Sequence, residues 1–160
     1  MIQIRPIRKE DNAAIALIIR AALEEFGANK PGTVYFDETT DHLFELFNSN
    51  QNCAYFIAEE DAVILGGAGF FHSEGLDDTT CELVKMYLSK NARGKGFGQQ
   101  MINHCIEVAK QQGFKQMYLE TMPELKKAIQ VYEQFGFNYL KGPMGNTGHD
   151  GCGIWMLKNI

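Results

Sequence analysis

Residues 81–113 read CELVKMYLSKNARGKGFGQQMINHCIEVAKQQG, and this stretch decides the fold. Apolar and polar residues alternate from 81 to 88, which predicts a β-strand. A glycine-rich turn follows at 93–98, and apolar residues at helical spacing then predict a helix over 97–112 that ends at Gly113. The stretch therefore predicts a strand, a glycine turn and a helix in direct succession.

The turn Arg93-Gly94-Lys95-Gly96-Phe97-Gly98 has the features of an anion-binding site. A helix N-terminus presents free backbone N–H groups and roughly half a positive charge, and glycines let a phosphate approach the backbone closely. The turn does not fit G-x-x-x-x-G-K followed by Ser or Thr, because Lys95 precedes Gly96. It does not fit G-x-G-x-x-G either, because Gln99 stands where the last glycine is required. Nucleoside triphosphates and dinucleotides are therefore disfavoured as ligands.

The rest of the chain predicts alternating short elements around this unit. The order of strands and helices is β-α-α-β-β-β-α-β-α-β-β. Strands are predicted over 2–7, 54–59, 62–71, 81–88, 114–121, 137–140 and 153–158; helices are predicted from Asp11 to Gly27, after Thr39 or Thr40, over 97–112 and over 124–135.

Composition and charge limit the classes of function. With 160 residues, of which 45% are hydrophobic and 22% charged, we expect one globular domain over 1–160. The formal net charge of -5 argues against sequence-independent nucleic-acid binding, which depends on Lys and Arg. No apolar run could span a membrane, and the first residues lack the pattern of a signal peptide. The four cysteines, Cys53, Cys81, Cys105 and Cys152, lack zinc-ligand spacing. We therefore expect a cytoplasmic protein without a metal and without nucleic-acid or membrane partners.

The turn and its surroundings resemble the GNAT superfamily of N-acetyltransferases. The superfamily's acyl-CoA signature is Gln or Arg, two residues, Gly, one residue, and Gly or Ala, which Arg93, Gly96 and Gly98 satisfy. The resemblance implies an α/β (α+β) fold with a mixed, mostly antiparallel sheet of about seven strands flanked by four helices. It also implies acetyl-CoA as co-substrate and an amine as acceptor. The residues implied in coenzyme binding are Met86, Tyr87, Leu88, Arg93, Gly94, Lys95, Gly96, Phe97, Gly98 and Gln99.

A second block, from Ala128 to Phe137, is similar to the late helix of the superfamily. In that helix a tyrosine lies near the CoA sulfur, and by this resemblance Tyr132 is the candidate general acid. Its alternative role is that of a buried aromatic side chain between helix and sheet. Many members carry Asn where this chain has Leu125, which removes one expected contact to the pantetheine arm.

Glu82 is the candidate general base by the same resemblance, because members with a glutamate base carry it on this strand. Strict alternation puts Glu82 on the same face as Val84, Met86 and Leu88. The alternative is an ordinary glutamate at a strand end. The backbone N–H groups around 86–88 are expected to stabilise the oxyanion that develops during acyl transfer.

The acceptor and some alternatives stay open. A small amine, an aminoglycoside, an amino acid, a polyamine or a protein amine would fit the same coenzyme site. Acidic residues favour a cationic amine, although any acidic protein carries such residues; they are Glu24, Glu25, Asp37, Glu38, Glu74, Asp77 and Asp78. His149 and Asp150 could line the acceptor pocket or form an exposed turn. Three alternatives to the function remain: transfer of another acyl group, a non-catalytic acyl-CoA sensor, and a glycine-rich turn that does not bind CoA. The chain could also form a homodimer through its strand edges.

Overall fold

A computed structural model describes residues 1–146 and 151–160 of the protein. Its helices and strands follow one another in the predicted order. They are β1 (Gln3–Pro6), α1 (Asn12–Glu25), α2 (Leu43–Asn48), β2 (Ala54–Glu60), β3 (Val63–Phe71), β4 (Thr80–Leu88), α3 (Phe97–Gln111), β5 (Gln116–Thr121), α4 (Lys126–Gln134), β6 (Asn138–Tyr139) and β7 (Ile154–Asn159). In these residues no helix is long and apolar enough to cross a membrane.

The strands form one sheet of seven in the order β1-β2-β3-β4-β5-β7-β6. The pair β4 and β5 is parallel, and every other neighbouring pair is antiparallel. The predicted α/β fold with a mixed, mostly antiparallel sheet and four helices is therefore confirmed.

Both faces of the sheet are buried under helices. On one face α1 contributes Ile15, Ile19 and Leu23, which are fully buried and spaced four residues apart. On the other face α3 contributes Met101, Ile102 and other buried residues of the larger core cluster. Burial of each Ile or Leu side chain contributes about 1.5–3 kcal/mol. The helices thus fix the sheet from two sides and leave the ends of its central strands to form a site.

The central strands β4 and β5 are paired over a short segment and then diverge. Residues 80–82 pair with residues 116–118, while residues 83–88 of β4 have no partner on β5 in the described structure. The two strands therefore diverge beyond Glu82, and a cleft opens between them.

A β-bulge on β4 corrects the predicted strand faces. Gly69 pairs with Val84 and Gly67 with Tyr87, so that two residues of β4 stand opposite one residue of β3. At the bulge Lys85 has a positive φ of 50°. Because the extra residue reverses the alternation, the side chains of Met86 and Leu88 pack in the α3 cluster, whereas Val84 packs in the α1 cluster. The prediction that Glu82 shares one face with Met86 and Leu88 was wrong.

The last helix also differs from its predicted bounds. It was predicted over 124–135 and spans Lys126–Gln134. A hydrogen bond from Leu125 N–H to Met122 C=O at 3.0 Å closes a turn before it. Pro123 and Glu124 lie inside this turn, so the helix begins only after it.

Candidate active site

A cavity of about 480 Å³ occupies the cleft where β4 and β5 diverge. Its walls come from β4, the turn at 93–98, β5, α4 and the end of α1. Glu82, Tyr132 and most of the predicted coenzyme-binding residues lie along this one cavity. The sequence motif and the two candidate catalytic side chains therefore face a common space.

The turn before α3 provides the predicted backbone donors. Gly94 and Gly96 have positive φ values of 74° and 81°, a conformation that favours glycine. A hydrogen bond joins Gln100 N–H to Gly96 C=O at 3.2 Å, so the N–H groups of residues 97–99 precede the first intrahelical bond. A Cβ at Gly96 would meet only the Gln99 side chain, 3.8 Å away. The turn therefore leaves open space beside donors that suit an anion.

The start of α3 packs directly on the end of β4. A Cβ at Gly98 would lie 3.5 Å from Met86 Cε and 3.9 Å from Leu88 Cδ1. The bulge at Lys85 turns these two side chains towards α3. Residues 86–88 of β4 line the cleft. Because the side chains of Met86 and Leu88 point towards α3, the backbone groups of this segment stay accessible on the side that faces β5.

The Arg93 side chain holds the turn against neighbouring elements. Its Nε–H donates to Leu88 C=O at 3.1 Å, and Nη1 forms an ion pair with Glu25 Oε2 at 2.7 Å. The guanidinium also lies over the Phe26 ring, 4.8 Å from its centroid. Arg93 lines the cleft, but Lys95 and Phe97 do not. The positive charge of Arg93 is therefore partly used to fasten the turn to α1.

Glu82 lies at the inner end of the cleft, where the strands separate. Its residue is only 2% exposed, and Ser73 Oγ–H donates to Glu82 Oε1 at 3.0 Å. Across the sheet it pairs with Tyr118 of β5. A carboxylate in this position is held by its neighbours and still reaches the cavity.

Tyr132 reaches the same cavity from α4. It is 7% exposed and packs against the Phe137 ring, with 5.9 Å between ring centroids. Burial raises the pKa of Tyr132 well above its ordinary value, so the phenol stays protonated at neutral pH. Among the described residues, none hydrogen-bonds to its hydroxyl group. It can therefore donate a proton or a hydrogen bond to a ligand.

Sequence reasoning missed several polar side chains in and beside the cleft. Lys85 and Glu120 line the cavity, and Ser73 binds Glu82. Glu120 accepts a hydrogen bond from Tyr118 Oη at 2.7 Å. A lysine between Val84 and Met86 was a signal for Lys85, because charged residues seldom occupy the interior of a buried strand. Ser73 and Glu120 carried no comparable signal, since the contact of each depends on the tertiary fold.

Several acidic residues that favoured a cationic acceptor are engaged within the chain. Glu25 pairs with Arg93, Asp37 pairs with Lys85 and Glu24 accepts a hydrogen bond from Tyr35. His149 and Asp150 lie outside the described residues. No group of three or more His, Cys, Asp or Glu in the described ranges is arranged to hold a metal ion.

Comparison with known proteins identifies the family. The profile described as "Acetyltransferase (GNAT) family" matches residues 16–137. The chain belongs to the GNAT family of acetyltransferases. The GNAT resemblance inferred from the turn and from the Tyr132 block is therefore confirmed, as is the prediction of an acyl-CoA-dependent N-acetyltransferase with acetyl-CoA as co-substrate.

Relatives and solved structures agree with this GNAT assignment. The chain is 37% identical over 158 residues to the uncharacterised N-acetyltransferase YjgM of Escherichia coli, covering 98% of this chain and 93% of that protein. A GNAT acetyltransferase from Staphylococcus aureus has a TM-score of 0.85 at 20% identity, with 99% of both chains covered. The putative acetyltransferase yncA of Salmonella typhimurium, solved with its cofactor acetyl-CoA, has a TM-score of 0.75 at 21% identity, covering 99% of this chain and 94% of that one. The two structures support the fold of this GNAT protein.

Proposed function

We propose that this N-acetyltransferase moves the acetyl group directly from acetyl-CoA to a primary amine, with Glu82 as general base and Tyr132 as proton donor. The observation that carries the proposal is the single cavity that joins the turn before α3, Glu82 and Tyr132. Direct transfer needs a coenzyme site, a base and an acid around one space.

Coenzyme binding is assigned to the backbone on one side of this cavity. The N–H groups of residues 97–99 suit the pyrophosphate, because they combine free donors with the positive end of the α3 dipole. The unpaired edge of β4 at residues 86–88 suits the amide-bearing arm of the coenzyme. A backbone N–H in this segment would also stabilise the thioester oxygen as it becomes negative during attack.

Glu82 is assigned the removal of the acceptor's proton. An alkylamine with a pKa of about 10.4 is roughly 99.9% protonated at pH 7, and only the neutral form attacks a thioester. The Ser73 hydrogen bond fixes one oxygen of Glu82 at the inner end of the cleft. A carboxylate held there can accept the proton directly or through a water molecule.

Tyr132 is assigned the leaving group. As the new C–N bond forms and the C–S bond breaks, the CoA thiolate needs a proton or a strong hydrogen bond. A phenol with an ordinary pKa of about 10 is already protonated at neutral pH, and burial raises the pKa of Tyr132 further. Its location on the wall of the same cavity as the end of β4 suits this role.

Three further expectations remain proposals. We propose that the chain works in the cytoplasm as one domain, which is consistent with the free thiols of Cys53, Cys81 and Cys105. We also propose a homodimer, for which the sheet edges at β1 and β6 are the available surfaces. Size-exclusion chromatography with light scattering tests the dimer.

The decisive experiment combines binding with turnover. Purified protein is titrated calorimetrically with acetyl-CoA, CoA and ATP, and release of free thiol is then measured over a panel of amines and peptides. Binding of acetyl-CoA but not ATP, together with thiol release for some amine, is expected. Binding of acetyl-CoA without thiol release for any acceptor would favour a sensor module. Faster reaction of a longer-chain acyl-CoA would show that acetyl-CoA is not the preferred donor. Absence of acetyl-CoA binding would overturn the proposal.

A further inference from the structure

A buried lysine lines the cleft three residues after Glu82 on β4 and has no role in the chemistry described above. Lys85 lines the cavity, yet its side chain is only 5% exposed. Its backbone has a φ of 50° at the β-bulge, which is uncommon for a residue other than glycine. Strained residues of this kind are concentrated at functional sites, where the surrounding structure holds them in place.

The Lys85 ammonium has a long ion pair with Asp37. Its ion pair with Asp37 joins Nζ and Oδ2 at 3.7 Å, whereas a charge-assisted hydrogen bond measures about 2.7–2.9 Å. Burial lowers the pKa of Lys85, and the negative charges of Asp37 and Glu82 oppose this effect. A buried ammonium gains most from an anion that accepts hydrogen bonds at normal distance. The open cavity is the place from which such an anion can come.

Glu82 and Lys85 together present one negative and one positive group to the same cavity. They lie three positions apart on β4, on either side of Leu83 and Val84, and they interact electrostatically. An α-amino acid carries the complementary pair, an amine and a carboxylate on one carbon atom. Such an acceptor would place its amine near Glu82, where the proton is removed, and its carboxylate at Lys85.

We propose that the acceptor is a free α-amino acid, or a close analogue with a carboxylate beside its primary amine, and that Lys85 binds this carboxylate. The inference rests on the proposed function and narrows its acceptor. Asp37 lies on the loop before α2, and its side chain is 34% exposed, so the carboxylate of the acceptor competes with a partly solvated partner. A polyamine would bring a second positive charge towards Lys85 and is disfavoured by this site.

The acceptor's charge is tested with matched sets of compounds. Each set contains an amino acid, its carboxamide and the amine that lacks the acid group, and kcat/KM is measured by thiol release. The wild-type protein should prefer the free acid by about tenfold to a hundredfold, as expected for hydrogen bonds to a charged group. Lys85→Met should remove this preference by slowing the free acid alone, and Lys85→Arg should retain part of it.

Controls separate this inference from the proposed function. Lys110→Met removes an exposed lysine of α3 and should leave the preference unchanged. Calorimetric titration with acetyl-CoA reports whether each variant is folded, and Lys85→Met should keep wild-type affinity. Equal or faster turnover of carboxamides and simple amines by the wild-type protein would overturn the inference. A complete lack of thiol release with every free amino acid tested would also overturn it. Equal slowing of acid and carboxamide in Lys85→Met would reduce Lys85 to a structural residue. If the wild-type protein does not bind acetyl-CoA, the proposed function itself is overturned.

Discussion

The two halves of the cleft are built in different ways. The coenzyme half comes from one continuous stretch, residues 86–111, which contains the end of β4, the turn and α3. The acceptor half, which contains Glu82 and Lys85, is supported by separate loops. Ser73 Oγ–H donates to Glu82 Oε1 at 3.0 Å, Asp37 pairs with Lys85 at 3.7 Å, and next to Ser73 the Glu74 C=O accepts from Asn146 N–H at 2.7 Å. The first half therefore depends on local backbone conformation, and the second depends on contacts between loops.

This difference has consequences for how each half can vary. Backbone N–H groups at a helix N-terminus bind a phosphate with little dependence on the neighbouring side chains. The acceptor half presents side chains such as Glu82 and Lys85, whose surroundings come from several loops. Substitutions should therefore separate coenzyme binding from acceptor turnover.

The largest expected effect is in the coenzyme half. Gly96→Asp puts a carboxylate beside the free N–H groups and forces a non-glycine residue to a φ of 81°, so binding of acetyl-CoA should fall below detection by calorimetry. Gly113→Asp is the matched control, because Gly113 has a φ of 95° at the other end of α3 with no atom within 4 Å of its Cβ position. Normal coenzyme binding by Gly96→Asp would remove the turn from the coenzyme site.

Glu82→Gln should have the next largest effect, and only on turnover. Loss of a general base is expected to lower kcat by about a hundredfold to ten-thousandfold. Affinity for acetyl-CoA should not change, because Glu82 lies at the inner end of the cleft and away from the turn. Glu120→Gln removes another carboxylate of the same cleft and should have a smaller effect. Steady-state kinetics compares the two, and a larger loss in Glu120→Gln would move the base to β5.

The same contrast explains how far sequence alone could go. The role of Gly94 and Gly96 could be predicted because their conformation is set within six residues, between a strand and a helix that have clear periodicity. The change of side-chain alternation at Lys85 could not be predicted from the sequence, because a bulge depends on the register between β4 and β3. Ser73 binds Glu82 only through the tertiary fold. The fold and the coenzyme half could thus be predicted, whereas most of the acceptor half required the structure.

Tyr132→Phe should lower kcat by about a hundredfold, a loss at the lower end of acid–base effects. The melting temperature should stay the same, because no described residue loses a hydrogen bond with the hydroxyl group and the ring still packs against Phe137. Thiol-release kinetics, calorimetry and thermal unfolding are measured on one preparation. Unchanged kcat would leave Tyr132 as a packing residue and would require another source for the proton.

Gly75→Ala tests the loop contacts of the acceptor half. A Cβ at Gly75 would lie 2.7 Å from Gly145 Cα, and φ is 86°, so the two loops must move apart. KM for the acceptor should rise by up to about tenfold, which corresponds to roughly 1.4 kcal/mol, while acetyl-CoA affinity stays constant. Gly27→Ala carries similar strain, with a φ of 66° and no atom within 4 Å of its Cβ position, and should change only stability. Equal effects of both variants on KM would contradict a role for the loop contact.

The smallest expected effect decides how Arg93 serves the coenzyme half. If its guanidinium mainly fastens the turn to α1, Glu25→Gln loosens the turn and weakens acetyl-CoA binding. Because such a partly exposed ion pair contributes about 0.2–1 kcal/mol, the loss should be less than about fivefold. If Arg93 instead binds the pyrophosphate, removal of Glu25 frees the guanidinium and strengthens binding, so calorimetry distinguishes the two roles by the sign of the change. Glu107→Gln makes the same change in net charge on α3 and controls for long-range electrostatics.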